Sequence, residues 1–138
     1  MWFTINLFES NFENPQQLSP LVLAFVGDAV YGLLVRERVV SIANTSVGKL
    51  HRRSVKYVSA KAQAAFMDRL ESVLTEDEDR IYKRGRNAAV NSIPKNANVA
   101  DYHKATGFEA LFGFLYLSNQ HERIKYLFDL IWDTIEIG

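Results

Sequence analysis

Apolar residues recur along this chain at helical spacing, and no run alternates cleanly enough to read as a half-buried strand. Ser19-Pro20 has the form of an N-cap followed by proline at the first helical position, which predicts a helix running to about Val40. Leu50, Val58, Ala62, Ala65 and Phe66 place an apolar stripe on a second helix, from roughly Val47 to Leu74. A short helix is predicted over Glu76–Arg84, ending near Gly85, and two strongly apolar helices are predicted to begin near Thr106 and His121. Before these last two, the segment "RGRNAAVNSIPKNANVADYH" (84–103) is Asn-rich and carries Pro94, so it reads as a long, partly irregular loop. Such loops in compact domains often carry function. The expected fold class is all-α, with about five to seven helices.

Two of the apolar helices are interrupted in the same way. In "LAFVGDAVYGLLV" (23–35), Asp28 is the only charged residue between Pro20 and Arg36. In "TGFEALFGFLYL" (106–117), Glu109 is the only charged residue. A carboxylate buried without a partner is costly, so the pair suggests two acids facing each other across a cleft with a hard cation between them. Local readings stand beside this one. Thr106-x-x-Glu109 matches the capping box S/T-x-x-E, and Asp28 has Tyr31, Arg36 and Arg38 as candidate partners in the core.

Length and composition narrow the class. The 138 residues suit one domain, 1–138, and 48% are apolar, so global disorder is excluded as a description. There is no cysteine, which excludes disulfides and thiolate metal sites and fits a reducing cytosol. The start, "MWFTINLFES", has no basic region and is not read as a signal peptide; the most apolar run, 20–35, is too short to span a bilayer. A soluble, cytoplasmic protein with no membrane partner is expected.

The formal net charge is zero, but it is segregated. Of 16 Lys and Arg, five fall in 49–61 and six in 80–104, where the one acid is Asp101; the acids crowd into "ESVLTEDED" (71–79). Lys49, Arg52, Arg53 and Lys56 are spaced to share one helix flank. Such gathered cations either present a positive face to a polyanion or decorate a solvated surface.

With these residues in view, "LAFVGDAVYGLLV" resembles the signature helix of the ribonuclease III catalytic domain, which runs roughly E-x-x-E-F-L-G-D-A-V-L. "FEALFGFLYL" resembles that domain's second acidic helix, D-x-F-E-A-L-I-G-A-I-Y-L, in the same order and at similar spacing, and "IYKRGR" resembles its Lys/Arg-Gly turn. The resemblance spans about 18–132. With the GDAVY spelling, the "KRGRNA" loop and no room for a following double-stranded-RNA-binding domain, it is similar to the mini-ribonuclease III branch found in bacteria. The family uses four carboxylates. Asp28 and Glu109 match two of them, whereas Ala24, or the earlier Leu21, and Thr106 stand where the others belong. That loss characterises the mini branch.

The resemblance implies a ribonuclease III-like helical fold and a homodimer. It implies metal-dependent hydrolysis of double-stranded RNA to 5′-phosphate and 3′-hydroxyl ends. Asp28 and Glu109 are then the catalytic, metal-ligating residues, for Mg2+ with Mn2+ as a substitute, and the substrate is the paired termini of precursor 23S ribosomal RNA. Two sites in a dimer address the two strands, with Phe25, Val26 and Gly27 read either as interface or as plain core. Lys83, Arg84, Arg86, Asn87 and Lys95, on or beside the loop, are the first candidates for RNA contact, and Arg52, Arg53 and Lys56 the second. The alternative is a non-catalytic duplex-RNA-binding structural module of the same fold. Ala24 and Thr106 favour that alternative; retention of both Asp28 and Glu109 speaks against it.

Overall fold

The computed structural model describes residues 9–88 and 92–132, and among these it contains helices and turns but no strand. The six α-helices are α1 (Pro20–Ile42), α2 (Val47–Val58), α3 (Ala60–Leu70), α4 (Glu76–Arg86), α5 (Val99–Leu117) and α6 (His121–Trp132). Single 3-10 turns occur at Pro15–Gln17 and Glu71–Val73.

The centre is α5. From Ala105 to Leu117 it is buried on nearly every side, as expected of a helix that is apolar all round. Helices α1, α3, α4 and α6 pack about it. Phe108 and Phe112 are fully buried there, with ring centroids 4.8 Å apart, and Tyr31 of α1 meets Phe108 edge-on at 4.8 Å. Such aromatic contacts add to plain area burial.

Glycines set how closely the helices cross. A Cβ built on Gly27 would overlap the Glu109 carbonyl, and one on Gly113 would overlap the Leu23 carbonyl. Backbone therefore meets backbone where α1 crosses α5. On the other side of α5, a Cβ on Gly107 would lie 2.6 Å from the Tyr82 carbonyl oxygen, and one on Gly85 2.8 Å from Gly107 Cα. Any side chain at Gly27 or Gly113 would push Asp28 and Glu109 apart.

Three boundaries differ from the sequence expectation, each for a local reason. The predicted helix over Val47–Leu74 is two helices. Ser59 takes an extended conformation, ends α2 and N-caps α3, its Oγ accepting the Ala62 N–H at 3.2 Å. Two carbonyls freed at this break are satisfied by side chains: Tyr31 Oη donates to Tyr57 O (2.8 Å) and Gln63 Nε2 to Val58 O (3.0 Å). Second, α5 begins at Val99 rather than near Thr106, with Asn98 Oδ1 accepting the Asp101 N–H at 3.0 Å. Thr106 is thus inside the helix, its hydroxyl bonded to Tyr102 O (3.0 Å), and the capping-box reading of Thr106 and Glu109 is incorrect. Third, α4 extends to Arg86, past the expected end near Gly85.

The capping box is at Thr75 and Glu78. Thr75 N–H donates to Glu78 Oε1 (2.9 Å), and Glu78 N–H donates to Thr75 Oγ1 (3.2 Å). Acids at residues 76–79 open α4, and Lys83, Arg84 and Arg86 close it, so both clusters suit the helix dipole. Glu78 also receives two 2.8 Å bonds from Arg123, which ties α6 to the start of α4. Opposite, Arg38 of α1 bonds Asp129 of α6 at 2.8 Å. The left-handed turn at Asn119 (φ 60°) ends α5, and its amide exchanges two hydrogen bonds with the Ser10 backbone (2.7 and 2.9 Å). No helix among the described residues is long and apolar enough to cross a membrane.

Candidate active site

Where α1 crosses α5, the two lone acids share an open cleft of about 240 Å3. From α1 it is lined by Leu21, Ala24, Phe25 and Asp28, and from α5 by Tyr102, Thr106 and Glu109. The spacing explains the membership: 21, 24 and 28 lie on one face of α1, and 102, 106 and 109 on one face of α5. Leu21, Ala24 and Thr106, at the positions where the resemblance expects further acids, all face this space.

Asp28 is exposed and Glu109 half-buried, so the expectation of two buried acids holds for neither in full. Asp28 lies at the exposed, cleft-facing side of α1, and the three core partners considered for it are engaged elsewhere. Tyr31 bonds Tyr57 O, Arg36 bonds Gly32 O (3.2 Å), and Arg38 bonds Asp129.

The electrostatics of the pair are unusual. The Glu109 carboxyl is pushed up to about 8, first by burial and then by hydrogen bonding to Asp28 and the Asp28 charge; a hydrogen bond from Gln63 acts in the opposite direction. Among the described residues neither acid has a Lys, Arg or His salt-bridge partner. No third His, Asp or Glu joins them to make a larger metal-binding cluster among those residues. With the Asp28 carboxylate beside it in the cleft and no cation to offset the two charges, Glu109 is driven toward its neutral form.

The basic candidates are dispersed around this centre. Lys83 pairs with Asp79 at 2.8 Å. Arg84 is turned away from the loop, donating to Gln16 O (2.6 Å) and Leu18 O (3.2 Å), and so holds the chain entering α1 against the end of α4. Arg86 lies over the Tyr82 ring at 5.6 Å and bonds the C-capping Asn87 at 3.2 Å, where the loop begins. Lys95 is exposed in that loop, of which residues 89–91 lie outside the described part. Arg52 and Lys56 are exposed on α2, while Arg53 is half-buried with an unpartnered Nη1.

One residue lining the site escapes sequence reasoning: Tyr102, although it lies one helical turn before Thr106 and so carries a legible signal.

The sequence profile of the ribonuclease III domain matches residues 21–120. The chain is 49% identical to a mini-ribonuclease 3 of Thermoanaerobacter sp. over 124 residues, which span 90% of this chain and 87% of that protein. It is 46% identical to a mini-ribonuclease 3 of Symbiobacterium thermophilum, over 91% of this chain and 96% of that one. Among solved structures, an X-ray crystal structure of a protein from Fusobacterium nucleatum superposes with a TM-score of 0.81 at 28% identity, covering 89% of this chain and 98% of that one. The chain therefore belongs to the ribonuclease III family, in its mini-ribonuclease 3 branch, and is an endoribonuclease.

Proposed function

We propose that the protein hydrolyses phosphodiesters of double-stranded RNA in a divalent-metal-dependent reaction centred on Asp28 and Glu109, leaving 5′-phosphate and 3′-hydroxyl ends. The observation that carries this reading is the acid pair itself. Two carboxylates in one open cleft, with no cationic salt-bridge partner among the described residues, are an oxygen donor set short of positive charge. Magnesium suits such a set because it keeps several waters and needs few protein ligands, and manganese has a similar preference for oxygen. When bound, the cation would acidify a water for attack and offset charge on the phosphate.

The chain's own part is positional. Asp28 presents its carboxylate at the mouth of the cleft, where an RNA backbone can reach it, and Glu109 presents its own from deeper in. The close approach at Gly27 and Gly113 keeps the two in register. Arg86, Asn87 and Lys95 flank the loop that leads into α5, and they are the proposed contacts to phosphates and 2′-hydroxyls of an A-form duplex. Lys83, Arg52, Arg53 and Lys56 would add longer-range attraction, and Arg84 would act by holding the end of α4 in place.

One site cuts one strand, so a homodimer completes the reading. It is supported by an apolar stripe of α1 left open beside the acid: Val22, Phe25 and Leu33 are 47%, 81% and 55% exposed. Gly27 belongs instead to the contact with α5. The paired termini of precursor 23S ribosomal RNA, met in the cytoplasm, are the proposed substrate, following the resemblance to the mini branch.

The test is cleavage of end-labelled duplex RNA with MgCl2 and with EDTA. Cleavage is expected with magnesium alone, yielding 5′-phosphate products. Binding of the duplex without cleavage under either condition would establish the non-catalytic module instead.

A further inference from the structure

The side chains that line the cleft between α1 and α5 are lopsided in their hydrogen-bonding capacity. Leu21, Ala24 and Phe25 offer none. Asp28 and Glu109, once ionised around a cation, only accept. Thr106 has committed its hydroxyl hydrogen to Tyr102 O at 3.0 Å. Tyr102 completes the lining. Its backbone is engaged within α5, the N–H donating to Asn98 O at 2.9 Å and the carbonyl accepting from Thr106, whereas its Oη has no hydrogen-bond partner among the described residues. The ring is half-buried and makes one edge contact, with the adjacent His103 at 6.4 Å. A phenylalanine or leucine would wall the cleft equally well. What the phenol adds is an O–H, the one uncommitted side-chain donor in the lining.

We infer that Tyr102 is a substrate-contacting residue: its phenol donates a hydrogen bond to a backbone phosphate of the RNA strand seated in the cleft, on the side toward the loop that leads into α5. Its place on the helix suits that contact. Tyr102 lies four residues after the N-capping Asn98 and seven before Glu109, so it stands about 6 Å from the end of the loop and about 10 Å from the acid along the axis. A strand running from the acids to the loop passes it. Asp28 and Glu109 repel the phosphates of that strand, and a cation between them offsets the charge only where it sits. The next phosphate along needs a donor of its own, and a hydrogen bond to an ionised acceptor is among the stronger kinds. Such a bond reads no base, as suits recognition of a duplex through its backbone. The inference rests on the proposed role of the Asp28–Glu109 cleft, and it deepens that role by naming a group that meets the strand.

Tyr102→Phe removes the oxygen alone and tests the contact. Because Oη bonds nothing within the fold, the melting temperature of RNA-free protein in EDTA, and its rise on adding MnCl2, are expected to match the parent's. Single-turnover cleavage of sub-saturating, end-labelled duplex RNA with MgCl2 is expected to slow by roughly 10- to 100-fold. Cleavage at the parent rate overturns the inference; a slow Tyr102→Leu beside it would assign the ring, not the hydroxyl, to the site. A lowered melting temperature in EDTA together with a smaller MnCl2-induced rise would make the hydroxyl a brace, and overturns it as well. Single phosphorothioates placed at the cut and at the neighbouring phosphates then identify the partner. At one position sulfur should slow the parent and leave Tyr102→Phe unaffected, because that contact is already lost. Equal slowing of both proteins at every position overturns the phosphate as partner. Glu109→Gln in the same series separates the two levels. An active Glu109→Gln refutes the acid pair, whereas an inactive Glu109→Gln with a parent-like Tyr102→Phe refutes the Tyr102 contact alone.

Discussion

Two glutamates of this protein leave the solvent by different routes. Glu78, 2% exposed, meets every demand of burial within the chain: it closes the Thr75 capping box and receives both bonds of the Arg123 fork. Burial alone would raise its carboxyl, but the bonds from Arg123 and Thr75 outweigh that and hold it below the ordinary 4.5. Among the described residues Glu109 has no cationic salt-bridge partner, and burial together with the neighbouring Asp28 pushes it up to about 8. The first is a structural ion pair, complete as folded. The second has no such partner within the fold, and the proposed function assigns it a cation from outside. Shifted carboxyls occur at both structural and functional sites, so the direction of the shift and the presence of a charge partner are what distinguish them.

The largest effect comes from breaking each pair. Arg123→Met strands a buried carboxylate and should cost about 3–5 kcal/mol of stability, read by urea unfolding, while cleavage per folded molecule stays near the parent's. Asp28→Asn and Glu109→Gln should do the reverse, slowing cleavage by about 10³-fold or more at unchanged or higher melting temperature in EDTA. If Arg123→Met were the inactive protein and Asp28→Asn the unfolded one, the assignment of roles would be inverted.

The pH dependence sharpens the contrast, because the signs are opposite. The folded Glu109 carboxyl lies above its ordinary 4.5, so the folded protein holds the extra proton. Its contribution to stability is therefore present below 4.5 and lost as pH rises through about 8. The folded Glu78 carboxyl lies below 4.5, so its contribution is present above 4.5 and lost as pH falls through the depressed value. In EDTA, the stability of the parent relative to Glu109→Gln should decline between about pH 5 and pH 9, and MgCl2 should reverse the decline. A flat difference across that range would mean that burial and the nearby Asp28 do not hold the Glu109 carboxyl above its ordinary value.

The smallest effect concerns neighbouring arginines. Arg84, bonded to two backbone carbonyls, should cost about 1.5–3 kcal/mol when changed to Met. Arg86→Glu should leave stability within about 0.5 kcal/mol of the parent, yet weaken duplex binding and flatten its logarithmic salt slope by about one. An Arg86→Glu variant with unchanged affinity and slope would remove the start of the loop from the RNA contacts.

What the sequence by itself determined about this protein is what adjacent residues determine. Ser19-Pro20 starts α1 as expected, because a cap and a fixed φ act within one turn. The all-helical class follows from the spacing of apolar residues, and the acid pair was visible as two lone charges in apolar runs. The family was legible in the residues around Asp28 and Glu109. Tertiary structure decided the rest. Thr106 looked like a cap because S/T-x-x-E is a local pattern, but α5 already had a start at Asn98, where the side chain could reach the Asp101 N–H. The division at Ser59 gave little warning, since its cost is offset by Tyr31 and Gln63, which lie outside the segment that breaks. Asp28 read as buried because α1 is apolar on every side, so periodicity could not say which face meets the core. That was decided where Gly27 and Gly113 let α1 and α5 touch backbone to backbone, burying Leu23 and Tyr31, exposing Asp28 and Phe25, and bringing Asp28 against Glu109. Exposure is a property of what covers a residue, and the covering helix lies some eighty positions further along the chain.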